Sequence, residues 1–290
     1  MCGVFVCPTP NDTPTTHTLF LFDASSNHTT MVLSSDIGIS LWNTSSVSFK
    51  CSLISNVVFW IASFLGLYAD HLVATQKSPL LSRCKLQPKQ SIISRNDKND
   101  LIALSSFNMI FVALFICCPL YEWAWSRIQA ERRLTEFDDW TSIWMPELFI
   151  KLPIHALVAE TAFYSFHGLL HYSPTLYRHI HKVHHRFSAP TAMACVYAHP
   201  VEFALGNVLP IYLGPMVFTN AHPITCYIWW SLAMLGTGKG HCGYRIFGHA
   251  DYHEEHHIFF KYNYGGMGLL DHLLGTTAPP SETKGNVHRD

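Results

Sequence analysis

Two stretches of this chain, residues 101–120 and 203–238, contain no Asp, Glu, Lys or Arg. Runs of that length restrict the fold sharply. In hydrocarbon every backbone N–H and C=O must be satisfied within the protein, so a run that crosses a bilayer folds as a helix, and about 20 residues suffice. Residues 52–68 form a further uncharged apolar run, and 147–171 another that is interrupted by Lys151, His155 and Glu160. The 203–238 run has a turn signal at Asn220-Ala221-His222-Pro223. Its halves, about 16 residues each, are short for full spans. They read as a helical hairpin that enters the bilayer and returns to the same face. Only 13% of the 290 residues are charged, against about 25% in ordinary globular chains. Mean hydropathy is nevertheless a modest +0.15, which indicates membrane helices joined to a polar working domain. With 19 Lys+Arg against 20 Asp+Glu, the chain has no net charge with which to grip nucleic acid.

The loops suggest an orientation. Lys77, Arg83, Lys85, Lys89, Arg95 and Lys98 lie between the first two runs; Glu122, Glu131, Glu136, Asp138 and Asp139 outnumber Arg127, Arg132 and Arg133 after the second. The basic loop is expected on the cytoplasmic side, which places the amino terminus in the lumen. There the N-x-S/T sequons at Asn11, Asn27 and Asn43 are open to glycosylation. No basic segment followed by a long apolar core marks a cleavable signal. The nine cysteines are scattered without a CxxC pair, so neither a disulfide framework nor a zinc ribbon is expected.

Of 19 histidines, fifteen fall between His155 and His272. His167 and His171 are four apart; His181, His184 and His185 are spaced i, i+3, i+4, and His253, His256 and His257 repeat that spacing. Residues three and four apart share a helix face, so each cluster can present two imidazoles to one ion. Glu160 and Tyr164 extend the first stripe backwards at the same spacing and are candidate catalytic residues. Eight imidazoles exceed the needs of one ion and suit two metals in one cavity. Imidazole alone leaves Zn, Cu, Fe and Ni open.

Residues 160–187 read ETAFYSFHGLLHYSPTLYRHIHKVHHRF, followed by Ser-Ala-Pro and by Tyr197-Ala198-His199-Pro200-Val201-Glu202. With the spaced histidine boxes, residues 147–277 closely resemble the fatty-acid hydroxylase/sterol desaturase superfamily, and within it the C-4 methylsterol oxidase branch. The ending HEEHHIFFKYNYG, through Asp271 to Gly275-Thr276, is also similar to the sterol C-5 desaturase branch. The chain departs from that pattern at Gly168, where Arg is usual, and in the segment Gly236-Thr-Gly-Lys-Gly240.

The resemblance implies an all-α protein of the endoplasmic reticulum membrane: polytopic helices carrying a cytoplasmic, histidine-rich di-metal domain. It implies two irons, O2 as co-substrate, and electrons from cytochrome b5 or an equivalent donor and its reductase. The reaction implied is hydroxylation of a sterol or related lipid, with sterol desaturation or fatty-acyl hydroxylation as the alternative and a non-catalytic metal-binding membrane protein as a rival of another class. The boxes supply His167, His171, His181, His184, His185, His253, His256 and His257 as ligands; His241, in His241-Cys242-Gly243-Tyr244, becomes a ninth and His249 a possible tenth. His199 is expected to be structural or to line the pocket, His179 and His272 to be interfacial, and His155 to be a polar group within the third span. Asp251, Glu254 and Glu255 are further carboxylates near the boxes, the last two expected to be solvated. Arg178, Lys182, Arg186, Arg245 and Lys261 form a candidate docking face for an acidic electron donor. Trp229, Trp230, Phe203 and Tyr212 either border the lipid route or simply face lipid. The organisation expected is residues 1–51 as a lumenal segment, 52–146 as two membrane helices with a basic cytoplasmic loop, 147–277 as the catalytic domain and 278–290 as a tail.

Overall fold

Ser46 starts the first long helix: its hydroxyl accepts the Phe49 N–H at 3.2 Å, satisfying one of the donors that a helix N-terminus leaves free. Helix α1 then runs Val47–Ala74. The same logic starts the others. Ser94 caps α2 (Arg95–Ile128), Asp139 caps α3 (Trp140–Tyr172), and the His-Pro pairs His199-Pro200 and His222-Pro223 open α4 (Pro200–Phe218) and α5 (Pro223–His241). Two shorter helices follow, α6 (Asp251–Phe259) and α7 (Leu269–Leu274). This computed structural model describes residues 46–88, 93–129, 139–245 and 251–279. All lie in one unit, Thr44–Asp290; the other, Met1–Asn43, lies outside the described residues, as do His249, the three sequons and residues 280–290. Among the described residues there is no strand, and the chain is all-α.

Helices α1 to α4 are long and apolar enough to cross a membrane, and each extends beyond the run expected from the sequence. The extra length of α1 takes in Lys50 and Asp70, both buried. The 203–238 run does form two helices joined by residues 219–222, but α5 is not among the four that qualify as candidate spans. The exposed apolar side chains lie where lipid contact needs them: Val57, Ile61, Phe64 and Leu65 on α1, Phe111 and Phe115 on α2, Phe149 and Ile150 on α3.

The aromatic residues of the hairpin behave otherwise. Phe203, Tyr212, Trp229 and Trp230 are buried, so they neither face lipid nor line an open route. Tyr212 sits between Tyr121 and Trp230, ring centroids 4.9 and 4.8 Å away. Its hydroxyl approaches Ser52 and donates to the Ser48 carbonyl at 3.4 Å, and the Trp229 indole N–H donates to the Ile211 carbonyl at 2.9 Å. Burial is possible because these polar tips find partners inside.

Parts of α2, α3 and α4 widen to π geometry over Phe107–Cys117, Glu147–Lys151 and Phe203–Val208. Pro119, Pro153 and Pro210 each follow two residues later. A proline lacks the N–H and crowds the carbonyl four residues back, so the preceding turn must open. Asn108, on the widened stretch of α2, donates to the Val196 and Ala198 carbonyls at 2.9 Å each and fixes the segment beneath the histidines.

Lys85, counted from the sequence in the basic loop, is buried. Its ammonium donates to Asp70 at 2.8 Å and to the Cys242 carbonyl at 2.7 Å, while the Tyr244 hydroxyl donates to the same Asp70 oxygen at 2.8 Å. This ties the end of α1 to the residues directly after His241. Lys85→Met strands the Asp70 charge and should cost about 3–5 kcal/mol, read as a lowered thermal midpoint in detergent. Adding Asp70→Leu should restore most of the loss; a double variant as unstable as the single one would refute the pairing.

Candidate metal centre

Ser173-Pro174 decides where the first histidines stop. A residue before proline is pushed toward extended geometry, and Ser173 takes φ −93° and ψ 111° while its hydroxyl accepts the Leu176 N–H. Helix α3 therefore ends one turn after His167, with His171 in its last turn. The chain restarts as the short helix Pro174–His179 and then tightens into a 3-10 turn, His181–Arg186, rather than the α-helical box expected. His241 is the last residue of α5, and α6 carries His253, His256 and His257.

Among the described residues, nine imidazoles converge in two groups, in each of which the candidate ligand atoms lie within 4.8 Å of one another. His167, His171, His181, His185 and His256 form one, His184, His241, His253 and His257 the other. Each i, i+3, i+4 box is thus divided. The i, i+4 pair His181/His185 serves the first group and His184 the second, whereas His253/His257 serve the second and His256 the first. On α6, neighbours such as His256 and His257 point about 100° apart around the axis, so one box can feed both groups.

The hydrogen bonds test whether a cation fits. His184 donates from Nδ1 to the Tyr197 carbonyl at 3.1 Å, and His241 from Nδ1 to the Thr237 carbonyl at 2.9 Å. A neutral imidazole has one N–H, so both Nε2 atoms carry lone pairs, and they face each other at 3.3 Å. Likewise His167 donates from Nδ1 to the Tyr264 carbonyl at 2.6 Å and His181 from Nδ1 to Glu202 at 2.7 Å, leaving their Nε2 atoms 3.1 Å apart. No proton remains to bridge the His184/His241 pair, and none bridges the His167/His181 pair while Glu202 is ionised. Bonds of about 2.0–2.1 Å to a shared ion place cis nitrogens roughly 3 Å apart, and the Nε2 separations around His181 are 2.8–3.1 Å. The donor set fits two metal ions.

Burial keeps these rings neutral, as ligation requires. It pushes His184 down to about 4 and His181, His185, His253, His256 and His257 further below the usual histidine range. In the unfolded chain the same groups titrate near 6.5, so below that pH the unfolded state binds more protons. The metal-free protein should be nearly insensitive to pH around 8 and lose stability ever more steeply as pH falls through about 6.5 toward 4, by up to about 1.4 kcal/mol per pH unit for each histidine. Thermal midpoints of the chelator-treated protein from pH 8 to pH 5 check this. A flat profile would show that the rings are not held neutral.

A cavity of about 30 Å³ adjoins both groups, touched by His167 and His181 from one and His184, His241 and His253 from the other. Phe163, Phe166, Leu170 and Cys195 supply apolar walls, and Glu202 and Asn207 polar ones. Phe163 and Phe166 are only partly buried.

The remaining candidates lie elsewhere. Glu160 accepts the N–H groups of Gly266, Met267 and Leu269 at 2.9, 2.8 and 3.1 Å, and the Tyr164 hydroxyl meets Thr276 at 3.1 Å. Neither joins the converging groups; both hold the carboxyl-terminal loop. His199 accepts the Val201 N–H at the start of α4, and His155 pairs with Thr219. His179 and His272 are exposed. Glu254 is buried and accepts from Gln87 at 2.7 Å, contrary to the solvated charge expected. Arg186 is bound by Asp97 at 2.7 Å and Asp100 at 2.8 Å and drops out of the basic face, while Arg178, Lys182, Arg245 and Lys261 stay exposed.

Sequence reasoning assigned no role to Glu202 or Asp271. Glu202 offered one signal, a lone carboxylate at the mouth of a charge-free run, which is costly beside lipid unless it has a function.

The family described as "Fatty acid hydroxylase" matches residues 152–276, the span that holds all nine converging histidines. The chain is 34% identical over 235 residues to human "Fatty acid hydroxylase domain-containing protein 2", covering 78% of this chain and 65% of that one. It is 34% identical over 220 residues to "Fatty acid hydroxylase ahd1" of Mycosarcoma maydis, covering 72% and 54%. To "C-4 methylsterol oxidase erg25" of Schizosaccharomyces pombe it is 29% identical over 204 residues, covering 64% and 63%. The chain thus spans between half and two thirds of the length of these relatives. No solved structure matches it.

Proposed function

Residues 152–276 belong to the fatty acid hydroxylase family, related to the C-4 methylsterol oxidases, and from that premise we propose that the chain is a membrane-bound di-iron, O2-dependent lipid hydroxylase. The observation that carries the proposal is the set of paired Nε2 lone pairs with no proton between them. His167, His171, His181, His185 and His256 would hold one iron and His184, His241, His253 and His257 the other. Bound there, the irons supply the activation of O2 that attack on an unactivated C–H bond requires.

The chain's own residues supply the rest. Backbone carbonyls of Tyr197, Thr237, Tyr262 and Tyr264, with the Glu202 carboxylate, fix the tautomer and direction of five rings. The walls formed by Phe163, Phe166 and Leu170 exclude water and favour an aliphatic group beside the irons. A whole lipid does not fit about 30 Å³, so Phe163 or Phe166 must swing outward to admit the reacting carbon. Among substrate classes, a C-4 methyl group of a sterol is favoured by the box pattern. A fatty-acyl chain is the second reading, supported by the 34% identity to proteins named fatty acid hydroxylases.

The same proposal places the chain in the endoplasmic reticulum membrane with residues 1–51 lumenal and the histidines cytoplasmic. Electrons come from cytochrome b5 or an equivalent acidic donor and its reductase, met by Arg178, Lys182, Arg245 and Lys261. Lipid analysis of cells lacking the protein, paired with metal analysis of the purified chain, tests the reading. One accumulating sterol or acyl precursor and about two irons per chain are expected. Unchanged lipids together with a metal-free protein that cannot be loaded with Fe(II) would overturn it.

A further inference from the structure

The loop of residues 262–268 does two things at once. On its inner side it offers carbonyls to the first histidine group: Tyr264 accepts the Nδ1–H of His167 and Tyr262 that of His256, both at 2.6 Å. On its outer side its own N–H groups are taken up by two buried carboxylates. Asp271, at the start of α7, accepts Tyr264 N–H at 2.8 Å, Gly265 N–H at 2.6 Å and the Thr276 hydroxyl at 2.6 Å. Glu160, two turns before His167 on α3, takes Gly266, Met267 and Leu269. Five backbone donors therefore converge on two side chains from different elements.

Space in this cradle is as constrained as its hydrogen bonding. A Cβ on Gly265 would lie 2.5 Å from a Glu160 oxygen and 2.8 Å from an Asp271 oxygen. Two members of the second group, His184 and His241, are oriented by the Tyr197 and Thr237 carbonyls instead.

We infer that Glu160 and Asp271 are positioning residues for one metal ion of the pair, acting through the 262–268 loop on His167 and His256. The inference rests on the two-ion reading of the site. A carbonyl that fixes a ligand's Nδ1–H controls where its Nε2 lone pair points, and here that carbonyl is placed by a carboxylate two hydrogen bonds from the ion. Glu160→Gln presents an amide N–H2 to backbone donors, and Asp271→Asn does the same to Tyr264 and Gly265. Both should displace the loop without removing a ligand.

The test is metal content per chain, by mass spectrometry, of the full chain purified in detergent and loaded with Fe(II), with monodispersity checked by gel filtration. Wild type is expected to retain about two ions. Glu160→Gln, Asp271→Asn and the milder Gly265→Ala should each retain about one after brief chelation, and the Mössbauer signature of a coupled iron pair should give way to that of an isolated iron. Asp70→Asn, which disturbs the other side of the site beside His241, should leave the His167 group's ion in place. Should a carboxamide variant fail to fold, Gly265→Ala carries the same comparison. Retention of both ions by all folded variants would overturn the inference, as would loss of both ions in equal measure. A wild type that binds no metal would instead overturn the two-ion reading itself.

Discussion

Replacing His184 by Ala should remove one metal ion and lower turnover at least about 100-fold, more than the 10–100-fold expected for losing a ligand's hydrogen-bond partner. Among the described residues, the four-histidine group without His184 keeps only His241, His253 and His257. The loss also strips His241 of the ring whose Nε2 it faces at 3.3 Å, and it opens the buried site to water on the side of the small cavity. The first group offers a built-in comparison. His171 is its one partly exposed member, and His171→Ala leaves four rings. Its iron content should fall less than that of His184→Ala under the same chelator. Iron per chain and rate of lipid turnover, measured on both variants, check the argument. Undiminished iron in His184→Ala would remove it from the ligand set, and a greater loss in His171→Ala would reverse the ranking.

The converging histidines of the boxes were legible in the sequence because i, i+3 and i+4 spacing reports a shared face whatever the helix does next. The division of the boxes was not. It depends on His181–Arg186 folding as a tight 3-10 turn after Ser173-Pro174 and on the angle at which α6 meets it, and spacing within one segment carries no information about either. The helices were legible from their missing charges, but their ends were not. Lys85 read as one of the charges of the basic loop and is buried, because it pairs with Asp70, whose other partner, Tyr244, lies 174 positions away in sequence. Trp229 and Tyr212 read as bordering a lipid route or facing lipid for the same reason: their internal hydrogen-bond partners lie on other turns and other helices. Glu160 illustrates the limit best. Its spacing aligns it with His167, yet the groups it serves are backbone N–H donors more than 100 residues later, which no local pattern encodes.

Glu202 carries the last expected result. It is buried in a helix apolar enough to cross a membrane, and one oxygen accepts the Nδ1–H of His181 at 2.7 Å. His181 is the ring around which the first group assembles, with Nε2 3.1 Å from that of His167, 2.8 Å from that of His171 and 2.9 Å from that of His185. Removing the acceptor with Glu202→Leu leaves a buried N–H unpaired, which costs about 1–3 kcal/mol, and frees the ring to rotate away from its neighbours. Affinity for the ion of that group should fall about 10–100-fold. Glu202→Gln keeps an oxygen that can accept the same N–H, so orientation survives and only the negative charge behind the imidazole is lost; its affinity should fall less than about 10-fold. A chelator titration that follows iron retained by wild type and the two variants separates the cases. Equal losses in Gln and Leu would show that charge, not orientation, is what Glu202 contributes. No loss in Leu would show that the five-histidine group holds its ion without help from the membrane helix.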